Sequence, residues 1–237
     1  MSFIHQSIHR IRYRADRAFA SLFPERYKEA HELAYWKSKA DAEGVLGNEH
    51  YVYFYTNFFD LDRDYYKGKA VLDIGCGPRG SLEWADEASE RVGLDPLADE
   101  YRKLGTDRHK MRYVDAPSER MPFENQHFDV VCSFNSLDHV ADLAKTLKEI
   151  ERVLKPRGLF LLIVETGHTP TPCEPIEIRD VSTFANATLQ LQSLRKYEIG
   201  DHNIYRQLRN DARYDEADST ERPGIAAAKF LKRPQSA

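Results

Sequence analysis

Val71-Leu72-Asp73-Ile74 runs straight into Gly75-Cys76-Gly77-Pro78-Arg79-Gly80, and this junction constrains the fold more than any other stretch of the chain. A short, mostly apolar segment ends at glycines spaced G-x-G-x-x-G. Glycine adopts left-handed backbone without a steric penalty and lets a ligand approach the main chain closely. The pattern therefore predicts a buried strand, a tight turn and the start of a helix. A second apolar run, Arg91-Val92-Gly93-Leu94, ends at Asp95, twenty residues after Gly75. The combination fits a nucleoside-containing ligand held at the open end of a parallel sheet.

From Ala70 onward, short apolar runs recur at 70–74, 91–94, 111–114, 128–133 and 158–164. Segments of helical composition separate most of them, the clearest from Val140 to Leu154. Two later runs, 189–197 and 224–231, flank the charged segment Arg209 to Glu221, with no clear helix between them. The expected class is α/β, a doubly wound, mostly parallel, seven-stranded, Rossmann-like sheet with an antiparallel C-terminal strand. Residues 1–69 read as an N-terminal helical and aromatic extension that covers cofactor and substrate, and 70–237 as the ligand-binding domain. Pro24 starts a helix that continues to about Ala42, where Gly44, Gly47 and Asn48 break it. The dense aromatics Tyr51, Tyr53, Phe54, Tyr55, Phe58 and Phe59 either pack a core or roof the ligand.

Charge and composition remove several classes. A net charge of −4 over 237 residues argues against a nucleic-acid partner. The three cysteines, Cys76, Cys132 and Cys173, read as reduced thiols of a cytoplasmic protein. No apolar run approaches the roughly 18 residues an integral membrane segment needs. The N-terminus lacks the apolar core of a signal peptide. In residues 1–23, Ile4, Ile8, Ile11 and Phe19 alternate with His5, His9, Arg10, Arg12, Arg14 and Arg17. That stripe suits a helix docked on its own domain or on the mate of a homodimer. The alternative is peripheral contact with an anionic membrane surface or a partner.

Three ligand classes use such a glycine turn. A phosphate-binding loop of the G-x-x-x-x-G-K-[ST] kind is excluded, because no such lysine follows. A dinucleotide fits the glycine spacing and Asp95. Against it, about seventy residues precede the turn, and Asp73 lies inside the strand, where a carboxylate is unwelcome beside a pyrophosphate. Asp73 suits instead a ligand carrying an ammonium group and a sulfonium.

Five motifs in order then carry a family resemblance: Val71-Leu72-Asp73-Ile74-Gly75-Cys76-Gly77; Gly93-Leu94-Asp95-Pro96; Ala116-Pro117-Ser118-Glu119-Arg120-Met121-Pro122-Phe123; Phe128-Asp129-Val130-Val131-Cys132-Ser133 with Leu137-Asp138-His139-Val140; and Arg152-Val153-Leu154-Lys155-Pro156-Arg157-Gly158. From about Ala70 to Glu165 the chain resembles the class I S-adenosylmethionine-dependent methyltransferases, in the broad type 11 group that includes ubiquinone-biosynthesis enzymes. The resemblance implies S-adenosylmethionine as cofactor. It implies that Gly75, Cys76 and Gly77 pass close to the methionine part, with Asp73 near the amino group. Asp95, followed by Pro96, would accept from both ribose hydroxyls. Ser118 and Glu119 would sit at the adenine edge, where Asp115 competes for the role. Asn135 would close the site beside the reacting methyl. Trp36, with Tyr35, Tyr51 and Tyr55, would cover the cofactor or else pack the core.

The expected activity is methyl transfer to a small molecule or glycan, with a hydroxyl acceptor favoured over an amine. A cofactor-binding scaffold without catalysis is the reading from a different class. His139, after the fourth strand, is the leading candidate base, and His168, in the loop after the fifth, the second; an imidazole titrates near neutrality. Asp138, His139, Glu165 and His168 have the types to surround a divalent metal, but their spacing matches no metal motif and none is assigned.

Overall fold

The computed structural model describes residues 20–200, 203–218 and 220–234. Most of the basic stretch 1–23, with the membrane-contact and dimer readings attached to it, lies outside the described residues.

Seven strands form one sheet: β1 (Ala70–Ile74), β2 (Glu90–Leu94), β3 (Arg112–Val114), β4 (Phe128–Phe134), β5 (Leu154–Thr166), β6 (Leu189–Glu198) and β7 (Gly224–Lys232). Their spatial order is β3-β2-β1-β4-β5-β7-β6. The pairs β2–β3, β1–β2, β1–β4 and β4–β5 are parallel. β7 inserts antiparallel between β5 and β6. This is the expected class, and the closing pair forms the antiparallel edge that the charged 209–221 segment suggested. A short helix interrupts the connection between them at Ile204–Arg209.

β1 is buried along its whole length and β4 nearly so. Alternate residues of these strands feed two separate cores, as expected for a parallel sheet covered on both faces. Leu72, Ile74, Val131, Phe160 and Leu162 face one. Val71, Val130, Cys132, Leu161 and Ile163 face the other, with Tyr51, Phe54, Tyr55, Phe58 and Phe59 packed against them. The aromatic stretch is therefore core. Burying rings of this size supplies a large apolar area to that face.

Helix α1 (Pro24–Glu43) starts at the proline and ends at Gly44, which sits at φ 72°. Proline is tolerated in the first turn, where its missing N–H has no partner to lose. None of the residues of α1 is fully buried. Helix α2 (Tyr51–Tyr55) carries the first core aromatics, α3 (Ala98–Tyr101) follows β2, and α4 (Leu143–Val153) precedes β5. Asp142 caps α4, its side chain accepting from the Lys145 N–H.

One expectation fails. The glycine turn does not open into a helix, and residues 75–89 remain turns until β2 begins. Gly75, Gly77 and Gly80 all have positive φ (67°, 57° and 74°). Left-handed residues so close together cannot start a right-handed helix. Pro78 lacks an N–H, and the Gly77 N–H is taken by Asp95 Oδ2 at 3.1 Å. The sheet order reverses between β1 and β4. A crevice at the carboxyl ends of these two strands is where open α/β sheets hold their ligands. No described helix is long and apolar enough to cross a membrane.

Candidate active site

A cavity of about 670 Å³ opens at that crevice. Its floor is Ile74 and Gly75 from the end of β1, with Leu94, Asp95 and Pro96 from the end of β2. Asp115 to Glu119 close one side, and Asn135, Ser136 and His139 the opposite one. Helix α1 lies across the top, contributing Glu25, Lys28, Glu29 and Glu32 at helical spacing. Lys28 Nζ donates to the His139 carbonyl at 2.7 Å. At the other end of α1, Arg79 makes two bonds to Glu43, at 2.6 and 2.7 Å.

The two strand-end glycines are needed for closeness as well as conformation. A Cβ on Gly75 would stand 2.3 Å from Ser136 Cβ, so β1 and the β4 turn touch there. Ser136 fixes the contact by donating to the Ile74 carbonyl at 2.8 Å. A Cβ on Gly77 would meet the Trp36 ring at 2.9 Å. Trp36 thus lies against the glycine turn, anchored by its Nε1–H to Glu32 Oε1 at 2.7 Å. It is not among the cavity-lining residues.

Asp95 faces the cavity while only 7% exposed. Its Oδ1 accepts from the Leu97 N–H at 3.0 Å and its Oδ2 from the Gly77 N–H. Each carboxylate oxygen has lone pairs to spare for a second donor. Burial pushes its pKa up to about 6, against the pull of those two N–H bonds. Asp73 sits deeper, with Oδ2 held by the Tyr55 hydroxyl at 2.8 Å and by the Ser81 hydroxyl. Burial pushes it further, to about 7. Two buried carboxylates near one crevice, neither neutralised by a basic side chain, make a site that attracts a cation.

The remaining expected residues divide. Asn135 lines the cavity in a left-handed conformation (φ 56°), its N–H bonded to the Ile163 carbonyl at 2.7 Å. Ser118 and Glu119 line it too, but both also hold structure. Ser118 bonds Thr146 at 2.9 Å, and Glu119 Oε1 accepts from the Ala141 and Asp142 N–H groups at 2.7 and 3.0 Å, ahead of α4. Asp115 lines the cavity, where it accepts from the Asp99 N–H at 3.2 Å. The Cys76 side chain turns away, into the packing beneath Gly93 and Met111. Only the backbone of Cys76 is left near the crevice, and burial raises its thiol pKa. Tyr51 and Tyr55 are core residues, and Tyr55 reaches the site only through Asp73.

The two candidate bases are unequally placed. His139 lines the cavity. His168 is only 9% exposed and lies behind the wall, its Nε2 3.6 Å from Asp138 Oδ2. Asp138 is 1% exposed, and its Oδ1 is 3.9 Å from His139 Nε2. Burial raises the Asp138 carboxyl. Glu174, from the loop after β5, joins this group, with Oε1 4.0 Å from His139 Nε2. Of the residues whose types suit a metal, Glu165 and His168 are not in the trio that forms, which is Asp138, His139 and Glu174. Glu174 carries no signal in its own neighbourhood, since only the return of the 167–178 loop, bonded from the Ile176 N–H to the Asp138 carbonyl at 3.2 Å, brings it in.

The family described as "Methyltransferase domain" matches residues 72–162, from β1 through most of β5. Among curated proteins, the chain is 36% identical over 99 residues to the sterol 4-C-methyltransferase of Caenorhabditis elegans, covering 38% of this chain and 29% of that protein. It is 30% identical over 115 residues to the demethylmenaquinone methyltransferase of Staphylococcus saprophyticus, covering 44% and 48%. Against the dimethylglycine N-methyltransferase of Parasynechococcus marenigrum it is 25% identical over 176 residues, covering 64% and 62%. The chain thus spans less than two thirds of the length of each of these relatives. Among solved structures, an S-adenosylmethionine dependent methyltransferase from Mesorhizobium loti superposes with a TM-score of 0.52 at 19% identity, over 70% of this chain and 92% of that one. The [4+2]-cyclase SpnF superposes with a TM-score of 0.53 at 17% identity, over 70% and 75%. At these identities the superpositions speak for the fold alone.

Proposed function

We propose that this chain is an S-adenosylmethionine-dependent methyltransferase that transfers a methyl group to a hydroxyl of a small molecule or glycan, a reading supported by the methyltransferase-domain match over residues 72–162. The observation that carries this reading is the Asp95 carboxylate. It is buried, faces the cavity, and is fixed by the N–H groups of Gly77 and Leu97. A pair of vicinal hydroxyls on a ribose is the group such a carboxylate accepts from. When bound, S-adenosylmethionine supplies an electrophilic methyl on a positively charged sulfur.

This chain's residues then have four tasks. Gly75 and Gly77 allow the close approach, and Asp73 and Asp95 draw in positive charge and donor groups. Helix α1, tied down at Lys28 and Glu43, excludes water, which strengthens those interactions. His139, at the cavity wall, is the residue positioned to take a proton from an acceptor hydroxyl. His168 acts through Asp138 rather than on the acceptor, because it does not reach the cavity.

A second reading, methylation of a small amine, is favoured by Glu25, Glu29 and Glu32 on the cavity face of α1, which would attract a protonated amine. The test is a methyl-transfer screen over hydroxyl and amine acceptors, preceded by calorimetric titration with S-adenosylmethionine. Micromolar binding with transfer to a hydroxyl supports the proposal, and transfer only to amines selects the second reading. Binding without transfer to any acceptor favours a non-catalytic scaffold. His139→Ala is expected to cut turnover by about two orders of magnitude with cofactor affinity nearly intact. Undiminished turnover would remove His139 from the mechanism.

A further inference from the structure

Behind the cavity wall, four side chains from two chain segments converge without satisfying one another. Asp138 and His139 come from the turn after β4, and His168 and Glu174 from the loop after β5. One ligand atom from each of Asp138, His139 and Glu174 lies within 4.8 Å of the others. His168 lies outside that trio but borders it, with Nε2 3.6 Å from Asp138 Oδ2.

Two of these atoms are buried with no hydrogen-bond partner: Asp138 Oδ1 and His168 Nε2. Each such atom costs about 1–3 kcal/mol if nothing compensates it. The other nitrogen of His168, Nδ1, lies 3.2 Å from the Thr169 carbonyl, which only accepts, so Nδ1 carries a hydrogen. That leaves Nε2 facing Asp138 Oδ2 at 3.6 Å, a pair that a shared proton or a metal ion would satisfy.

We propose that this cluster binds one first-row divalent transition-metal ion. Imidazole nitrogens with carboxylate oxygens are a donor set for Zn²⁺ or Mn²⁺ more than for Mg²⁺ or Ca²⁺, which prefer oxygen alone. The separations suit it. Donors about 2.1 Å from a tetrahedral ion lie about 3.4 Å apart. His139 Nε2 lies 3.9 Å from Asp138 Oδ1 and 4.0 Å from Glu174 Oε1, and the trio as a whole lies within 4.8 Å, so binding would draw these side chains together by about half an ångström or more. The surroundings supply the orientation that metal ligands usually have. The Nδ1–H of His168 is held by a backbone carbonyl. The Glu174 carboxylate is held by the Thr171 hydroxyl at 3.3 Å, whose oxygen in turn accepts from the Glu174 N–H at 3.0 Å. His139 also lines the cavity, so the ion would lie at its wall. Resting on the proposed methyl transfer, an acceptor hydroxyl bound there would lose its proton to solvent at a lower pH, with His139 as a ligand in place of a base.

The test needs no acceptor. The full-length protein is stripped with a chelator and titrated separately with Zn²⁺, Mn²⁺, Mg²⁺ and Co²⁺, the last read by its visible absorption. One equivalent of Zn²⁺ or Co²⁺ per chain is expected, with affinity falling at least about tenfold in His168→Ala and in Glu174→Gln. Glu174 lies in a half-exposed loop, so its variant folds even if the buried His168→Ala does not. Circular dichroism and S-adenosylmethionine titration on the same samples report folding and the cofactor site. Binding no tighter than in the Glu174→Gln protein, or binding of Mg²⁺ alone, overturns the proposal. Methyl transfer that survives complete removal of metal overturns the role at the acceptor. Loss of S-adenosylmethionine binding with metal binding intact overturns the function instead, so the two failures are distinguishable.

Discussion

The two walls of the cavity are built by opposite rules. On the cofactor wall, the glycine turn and both buried carboxylates lie within residues 73–95, and their polar atoms are satisfied within the protein, Asp73 by the Tyr55 and Ser81 hydroxyls and Asp95 by local backbone. Asp95 is bonded to N–H groups two and eighteen residues away. On the acceptor wall, Asp138, His139, His168 and Glu174 meet only because β5 and a long loop return to the β4 turn, and two buried polar atoms there stay unpaired. A prebuilt wall binds without rearrangement, whereas an unsatisfied wall is completed by what it binds.

The sharpest way to break this contrast is at Gly75, where the walls come closest to clashing. Gly75→Ala puts a methyl group 2.3 Å from Ser136 Cβ, on a residue at φ 67°. Neither the strand end nor the buried serine can yield without disturbing the other wall. We expect S-adenosylmethionine affinity to fall by about two orders of magnitude, with a loss of about 2–4 kcal/mol in stability. Calorimetry and denaturant unfolding measure the two. Wild-type binding in this variant would mean that the walls are not coupled through Ser136.

Next in size is removal of charge from the cofactor wall alone. Asp95→Asn keeps the shape but loses the anion, and one of its oxygens becomes a donor facing an N–H. Cofactor affinity should fall about tenfold to a hundredfold by calorimetry. Asp73→Asn should weaken binding by a similar factor yet raise the stability of the ligand-free protein at pH 8, because it removes a carboxylate that burial disfavours. A stability drop there would show that the Tyr55 and Ser81 hydrogen bonds outweigh the burial penalty.

The same carboxylates set a pH dependence. Burial raises Asp73 to about 7 and Asp95 to about 6, above the value of about 3.9 for an unfolded aspartate. The folded state therefore holds these protons more tightly than the unfolded state. Their contribution to stability is fully present below about pH 4 and is lost as pH rises through 6 to 7. Binding of a cationic cofactor runs the other way, weakening by about tenfold as pH falls from 8 to 5. Titrations across that range, in a buffer series of constant ionic strength, check both slopes. Parallel slopes would contradict the charge assignment.

The same difference in construction explains what could be read from sequence. The strands, the antiparallel edge and Asp95 were legible because each rests on a local pattern: an apolar run, a glycine turn, an acid at a strand end. The helix expected after Gly80 was not, because the glycine spacing is the same whether or not a helix follows. What decides is the left-handed backbone at Gly75, Gly77 and Gly80, which the spacing alone does not reveal. Trp36 read as cofactor cover or core packing, and the sequence did not show that it packs on Gly77, apart from the cavity-lining residues. Glu174 was invisible, since its role depends on a loop closing over Asp138, and Glu165 was the nearer guess along the chain.

Helix α1 belongs to neither wall, and the smallest effect is expected there. It has no fully buried residue, so burial of apolar surface contributes little to holding it. Its tie to the acceptor wall is the bond from Lys28 Nζ to the His139 carbonyl, with Lys28 also 3.4 Å from Glu25. Its tie to the cofactor wall is the pair Arg79–Glu43. Lys28→Ala removes the first tie and leaves the second, along with Trp36 on Gly77. The melting temperature should change by no more than about 2 °C, since a partly exposed bond contributes roughly 1 kcal/mol or less. Because α1 lies across the cavity, loosening it is expected to speed cofactor release. Its rate, followed by stopped-flow displacement, should rise about threefold to fivefold while the association rate stays near its wild-type value. An unchanged release rate would mean that α1 is held from the glycine turn alone and that the two walls close independently.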